Sequence, residues 1–196
     1  MISHKHKFIL LHAGKCAGSS IKNALKKVIN DPDANVQGHF TLAYFKSNIL
    51  QLGYNFEDYK IVGLTRNPYD RMVSWYYHSV NAVKSFSGSF ESFCQFRLIS
   101  NNDSILQLNE KGLYARDSEN LLPPYDKCDY IIRFENLQDD FNNFTSHINL
   151  PSTQLPHIQH NTERPKESYR KLYTDLSKKI VSEYFEDTIS RFDYKF

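Results

Sequence analysis

Apolar residues along the chain gather in three short continuous runs, each followed by a polar turn and then by helical spacing. The runs lie within "KFILLH" (7–12), "YKIVGLT" (59–65) and "CDYIIRF" (128–134). Runs this short and this uniformly apolar suit strands buried on both faces of a parallel sheet. After the first, Ile21, Ala24, Leu25, Val28 and Ile29 recur at helical spacing between Ser19 and Ile29, and "NDPDAN" ends that helix. "GHFTLAYFKSNILQL" predicts a second helix. After the second run, Asn67 can cap a helix, Pro68 stands at its first position, and Asp70 lies in the first turn, where a negative charge suits the dipole.

Ser89 to Ile99 predicts a further helix, and the polar stretch from Ser100 to Tyr125 predicts mostly loop. "ENLQDDFNNFTSHI" reads as helix after the third run, and the proline-containing "LPSTQLPHIQHNTERPK" as irregular chain. From Glu167 to Ile189 the pattern is helical, with a break near Thr174–Asp175 where Thr174 can cap a second segment. Strands alternating with helices predict an α/β fold around a parallel sheet. No repeat or linker divides the 196 residues, so a single domain over 1–196 is expected.

Composition narrows the class. Charged residues make up 23% and the net charge is about +2 with the signs well mixed, which does not point to nucleic acid as a partner. The three cysteines, Cys16, Cys94 and Cys128, are widely spaced and form neither a C-x-x-C pair nor a zinc pattern. That usage fits a reducing compartment. The apolar run Phe8 to Leu11 is too short for a signal-peptide core or a membrane span, and none later is longer, so a cytoplasmic setting is expected.

Candidate chemistry lies at two strand-to-helix junctions. In "FILLHAGKCAGSSIKNAL" a strand runs through a tight turn into a helix N-terminus, whose backbone N–H groups and positive dipole end favour an anion. Gly14 and Gly18 allow unusual backbone angles and close approach. Ser19 and Ser20 can donate from their hydroxyls, and Lys15 adds a full charge. A Walker A loop would need its lysine directly after the second glycine, whereas Lys15 precedes Gly18. In "IVGLTRNPYDRMVSWYY" Arg66 stands where strand becomes helix and can hold a phosphate bidentately. Ser74 lies about 10 Å along the axis from Asn67, within reach of a phosphate shared with a long arginine side chain. Against these stand plainer readings: a βα turn with a solvated lysine, and an arginine in a structural ion pair.

Together the motifs resemble a known family. "HAGKCAGSS" resembles the 5′-phosphosulfate loop of sulfotransferases, and "TRNPYDRMVSWYYH" resembles their 3′-phosphate motif in the form of the Golgi carbohydrate sulfotransferases and their bacterial relatives. "DYIIRFENLQDDF" and the ending "SYRKLYTDLSKKIVSEYFEDTISRFDYKF" are similar to later segments of that family. The resemblance implies a three-layer α/β fold related to nucleotide kinases, with a central, mostly parallel sheet flanked by helices. It implies 3′-phosphoadenosine 5′-phosphosulfate (PAPS) as co-substrate and a carbohydrate or other hydroxyl-bearing acceptor, in a bacterial protein. Gly14, Lys15, Cys16, Ala17, Gly18, Ser19 and Ser20 would cradle the 5′ end of the donor, and Arg66 and Ser74 would take the 3′-phosphate. Asn161 and Arg164, in "HNTERPK", stand where the family often brings a late loop over the nucleotide.

The same resemblance gives Lys15 the catalytic place beside the bridging oxygen, where negative charge develops on the leaving phosphate. His39, in "VQGHFTLAYF", resembles the G-H segment of uronyl 2-O-sulfotransferases and is the candidate base; packing near the start of the next helix is its plainer reading. No metal is required, since the cations are side chains, and no carboxylate cluster suits magnesium. His12, ahead of the loop, reads as structural, and Trp75, Tyr76 and Tyr77 read as packing. A nucleotide or small-molecule kinase of related fold, and a nucleotide-binding protein without catalysis, remain open as alternatives.

Overall fold

The strand Phe8–His12 (β2) explains why the first apolar run is continuous: its two faces are both covered. Phe8 and Leu10 pack into one cluster with Ile21, Ala24 and Leu25 of the helix Gly18–Val28 (α1) and with Phe141 and Phe144 of the helix Leu137–His147 (α5). Ile9 and Leu11 point the other way, into a cluster with Phe45 and Ile49 of the helix Leu42–Gln51 (α2). Period-two alternation thus feeds two cores, one on each side of the sheet. Strand β3 (Lys60–Thr65) repeats the arrangement, with Val62 and Leu64 on the α1/α5 side and Ile61 on the α2 side. At Gly63 an added Cβ would stand 2.8 Å from Cys128 Sγ, so close packing excludes a side chain there.

The computed structural model describes residues 1–31, 34, 40–100, 107–109, 112–114, 122–156 and 168–196. The chain folds as two compact units, Met1–Thr65 with Leu106–Gln159, and Arg66–Ile105 with His160–Phe196. The first holds a four-stranded sheet in the order β1-β2-β3-β6, where β1 is Ile2–Ser3 and β6 is Tyr130–Arg133. Strands β2 and β3 are parallel (His12 opposite Leu64), as are β3 and β6 (Thr65 opposite Arg133), so all three end at one edge. The carboxyl edge of such a sheet is where ligands bind in open α/β folds. The expected three-layer arrangement is present in this unit, helices lying on both faces of a mostly parallel sheet.

Three short strands go beyond the sequence expectation. Strand β1 pairs antiparallel with β2 through Ile2–Ile9 and Ser3–Phe8, and two residues carry no readable period. Within the stretch expected to be mostly loop, Gln107–Asn109 (β4) and Gly112–Tyr114 (β5) form an antiparallel pair, again too short for periodicity to mark.

The second unit is helical. Helix α3 (Pro68–Tyr77) begins as expected: Asn67 Oδ1 accepts from Tyr69 N at 3.0 Å, and Pro68 opens the helix. The helix Phe90–Gln95 (α4) is capped by Ser89 and continues into a π-helical turn, Phe96–Ser100. Trp75 is fully buried against Phe93, 5.6 Å between ring centres, which bears out its reading as packing. Tyr76 meets Phe90 and Phe93 edge-on.

The C-terminal helical segment breaks where expected. A 3₁₀ turn, Tyr169–Leu172, precedes α6 (Asp175–Tyr184), and Thr174 caps α6 through a reciprocal box: Ser177 N donates to Thr174 Oγ1 and Thr174 N to Ser177 Oγ. Thr174 Oγ1 also meets Glu91 of α4. A second break, not foreseen, separates α6 from α7 (Glu186–Phe192) at Phe185. That ring is buried with the Arg71 guanidinium over it, so tertiary packing overrides local helical preference. The Thr174→Ala variant is expected to lose about 1 kcal/mol from its cap. A lower urea midpoint at unchanged slope would show this, with Thr174→Ser recovering most of it; equal midpoints for all three proteins would refute the cap's role.

Candidate functional site

The loop between β2 and α1 is only five residues long, Ala13 to Ala17, and its geometry is unusual. Lys15 (φ 66°) and Ala17 (φ 60°) both adopt the left-handed conformation. The sequence reading gave the unusual angles to the glycines; the residues that carry them here are Lys15 and Ala17, while Gly18 is already helical. Gly18 serves close approach instead. A Cβ there would fall 2.1 Å from His12 Cδ2, so the His12 ring lies directly against the first residue of α1.

Three features make the start of α1 suitable for an anion. Its cap residue, Ala17, supplies no side-chain hydrogen bond to the first turn. That turn contains no acidic residue, so no carboxylate competes for the positive end of the dipole. Ser19 and Ser20 open the helix, half-buried, and Lys15 is half-buried ahead of them. Cys16 faces inward: its side chain belongs to the α1/α5 core, and Sγ donates to Gly14 O at 3.7 Å. Any contribution of Cys16 to an anion site therefore comes from its backbone, as does that of Gly14, Ala17 and Gly18.

At the second junction, Asp70 and Ser74 are spaced four apart on α3, which sets them along one stripe of its surface, and Arg66 stands just ahead of the cap Asn67. The Arg66 side chain is 7% exposed and turns back onto the first turn of α3, with Nε and Nη2 donating to Asp70 Oδ2 at 2.8 and 2.5 Å. Ser74, 9% exposed, stands one turn further on. Asp70 uses two of the five donors of the guanidinium and fixes its direction. The base of this helix is tied from the C-terminal segment, where Asn67 Nδ2 donates to Lys195 O at 2.9 Å. Tyr173 OH donates to Tyr69 O at 2.9 Å, and burial holds that phenol well above the usual tyrosine range.

Asp70 was read in the sequence only as a charge suited to the dipole; its i,i+4 spacing from Arg66 was the signal for its second role. His12 was read as structural, and its contact with Gly18 is structural, but the same ring also borders a cavity. His39, Asn161 and Arg164 lie outside the described residues. No described helix is long and apolar enough to cross a membrane.

The model of the sulfotransferase family matches residues 1–195, nearly the whole chain. No curated protein and no solved structure matches it. The match selects the sulfotransferase reading over the kinase and the non-catalytic one. A strand-to-helix loop with an early lysine and an acid-free helix start, followed by the Arg66–Asp70 pair and Ser74, lies within one matched span. The chain belongs to the sulfotransferase family, whose members are PAPS-dependent enzymes.

Proposed function

We propose that the protein moves a sulfuryl group from PAPS to a hydroxyl of a carbohydrate or glycoconjugate. One observation carries the reading of the donor end: an uncapped, acid-free helix start behind a loop whose left-handed Lys15 is held on a buried Cys16. Backbone N–H groups of this loop and helix start, with the hydroxyls of Ser19 and Ser20, bind the 5′-phosphosulfate. The Lys15 ammonium stabilises the charge that builds on the bridging oxygen as the S–O bond to the leaving phosphate breaks. The acceptor oxygen forms the new S–O bond, and its proton passes to a base, for which His39 is the candidate. Arg66, oriented by Asp70, and Ser74 take the 3′-phosphate, and Asn161 and Arg164 cover the nucleotide. The whole chain, 1–196, acts as one sulfotransferase domain.

Two sets of variants test these roles. In Lys15→Ala, transfer of labelled sulfate is expected to fall by about 10²-fold or more, with binding of adenosine 3′,5′-bisphosphate changed only a few-fold. Transfer at the unmutated rate would remove Lys15 from the mechanism. His39→Ala is expected to lower turnover by roughly 10²–10⁴-fold with donor binding retained. Unchanged turnover would exclude His39 as the base.

Arg66→Ala addresses the other end of the nucleotide. Calorimetry on the unmodified protein should show tighter binding of adenosine 3′,5′-bisphosphate than of adenosine 5′-monophosphate. The variant should lose about 10- to 100-fold on the bisphosphate, the scale of a charge-assisted hydrogen bond, and little on the monophosphate. An equal loss on both ligands would place Arg66 elsewhere than at the 3′-phosphate.

A further inference from the structure

Within the second unit, the start of α3 is held by residues far along the chain. Asp193, at φ 52°, ends α7 in the left-handed region, and the residues after it run to the base of α3. There Lys195 O accepts from Asn67 Nδ2 at 2.9 Å. The Phe196 ring meets Tyr69 and Tyr173 edge-on, with 5.0 and 5.2 Å between ring centres. Those two tyrosines meet each other edge-on as well, at 5.8 Å. Steeply inclined rings at these distances are an arrangement that aromatic pairs prefer. Two cations hold Phe196 in turn: Arg170 Nη2 donates to its carbonyl oxygen at 2.8 Å, and Lys178 Nζ of α6 stands 4.1 Å from its ring centre. Tyr69 has two more ties to the same segment. Its carbonyl oxygen accepts from Tyr173 OH, and its hydroxyl shares a 2.8 Å hydrogen bond with Ser182 Oγ of α6.

These ties fall where a small displacement matters. Asn67 caps α3 and Tyr69 lies in its first turn; the next residue, Asp70, carries the Arg66 guanidinium. Asp70 Oδ2 accepts from both Nε and Nη2, so the arginine points where the carboxylate sends it. Adjacent residues of one helical turn move together, and whatever sets Tyr69 therefore also sets Asp70. Tyr69 is buried, so its place is decided by what packs against it, and Phe196 is one of the two rings that meet it edge-on. A binding group held a fraction of an ångström out of place loses much of its effect, even when the group itself is intact.

Resting on the donor reading above, we infer that Phe196 is a positioning residue for the 3′-phosphate: its ring fixes Tyr69, and through the first turn of α3 it fixes the carboxylate that aims Arg66. Calorimetry on the full chain tests this with adenosine 3′,5′-bisphosphate and adenosine 5′-monophosphate. Phe196→Ala should weaken the bisphosphate about five- to tenfold, with the monophosphate held within about twofold, since Arg66 is kept but misaimed. Phe196→Tyr keeps the ring and should bind both nucleotides as the unmodified chain does. In the Arg66→Ala background, Phe196→Ala should cause no further loss, because the group it aims is gone. A purely stabilising ring would lower the urea midpoint and leave the ratio of the two affinities where it was. Tyr173→Phe removes only the hydroxyl that donates to Tyr69 O and should shift the same ratio about two- to threefold, the scale of one weakened hydrogen bond. It carries the test alone if Phe196→Ala does not fold. An unchanged ratio in Phe196→Ala, or in Tyr173→Phe where it stands alone, would overturn the proposal. So would equal losses on both nucleotides, a loss in Phe196→Tyr as large as in Phe196→Ala, or a full additional loss in the Arg66→Ala background. An unmodified protein with no preference for the bisphosphate would instead overturn the donor reading, and this proposal with it.

Discussion

The contact between the His12 ring and the bare Cα of Gly18 is the constraint on which the first junction depends. It brings the last residue of β2 against the first residue of α1, so the intervening five residues must reverse direction in little space. Two of them, Lys15 and Ala17, do so in the left-handed region, at a cost of order 1–3 kcal/mol each. Neither is glycine, so the conformation must be imposed by its surroundings. Cys16 between them is 1% exposed and packs into the α1/α5 core, and that burial pins the loop from below. The outcome is a helix start brought close to the carboxyl edge of the sheet with a lysine raised ahead of it. A side chain on Gly18 would displace His12 and, with it, both the loop and the cavity wall.

The second junction solves a related problem by electrostatics. Arg66 is nearly buried, and a guanidinium out of water must be paired. Asp70 provides that pairing from the first turn of α3, where its negative charge also meets the positive end of the dipole. One carboxylate therefore stabilises the helix and aims the arginine. The arginine's direction is fixed before any ligand arrives, which lowers the ordering cost of binding. Asn67 does similar double duty, capping α3 with its oxygen and holding the C-terminal segment with its nitrogen.

Much of this was legible in the residues. The three long strands were readable because burial on both faces leaves a continuous apolar run, and α3 because Asn67, Pro68 and Asp70 are three independent start signals. Thr174 marked the break before α6 because a capping threonine is a local feature. What was not legible is set by distance in the chain or by brevity. Strands β1, β4 and β5 have two or three residues each, below the length at which alternation can be counted. The joint at Phe185 depends on Arg71, more than a hundred positions earlier. The left-handed Lys15 and Ala17 ran against residue preference, which assigns such angles to glycine. A site whose conformation is held by its core, rather than chosen by its own residues, is where local rules should fail.

The two sides of His12 then divide the chemistry of the first unit. On the loop side are Lys15, the two serines and the N-terminus of α1, all arranged for negative charge. On the cavity side are Phe40, Leu42, Leu122, Pro123 and Pro124, together with the start of α2. This asymmetry favours the proposed transfer physically. The largely apolar wall beside the loop lowers local polarity, and lower polarity strengthens the interaction of fixed N–H groups and an ammonium with negative charge brought to them. His12 thus stands between the start of α1 and a largely apolar wall.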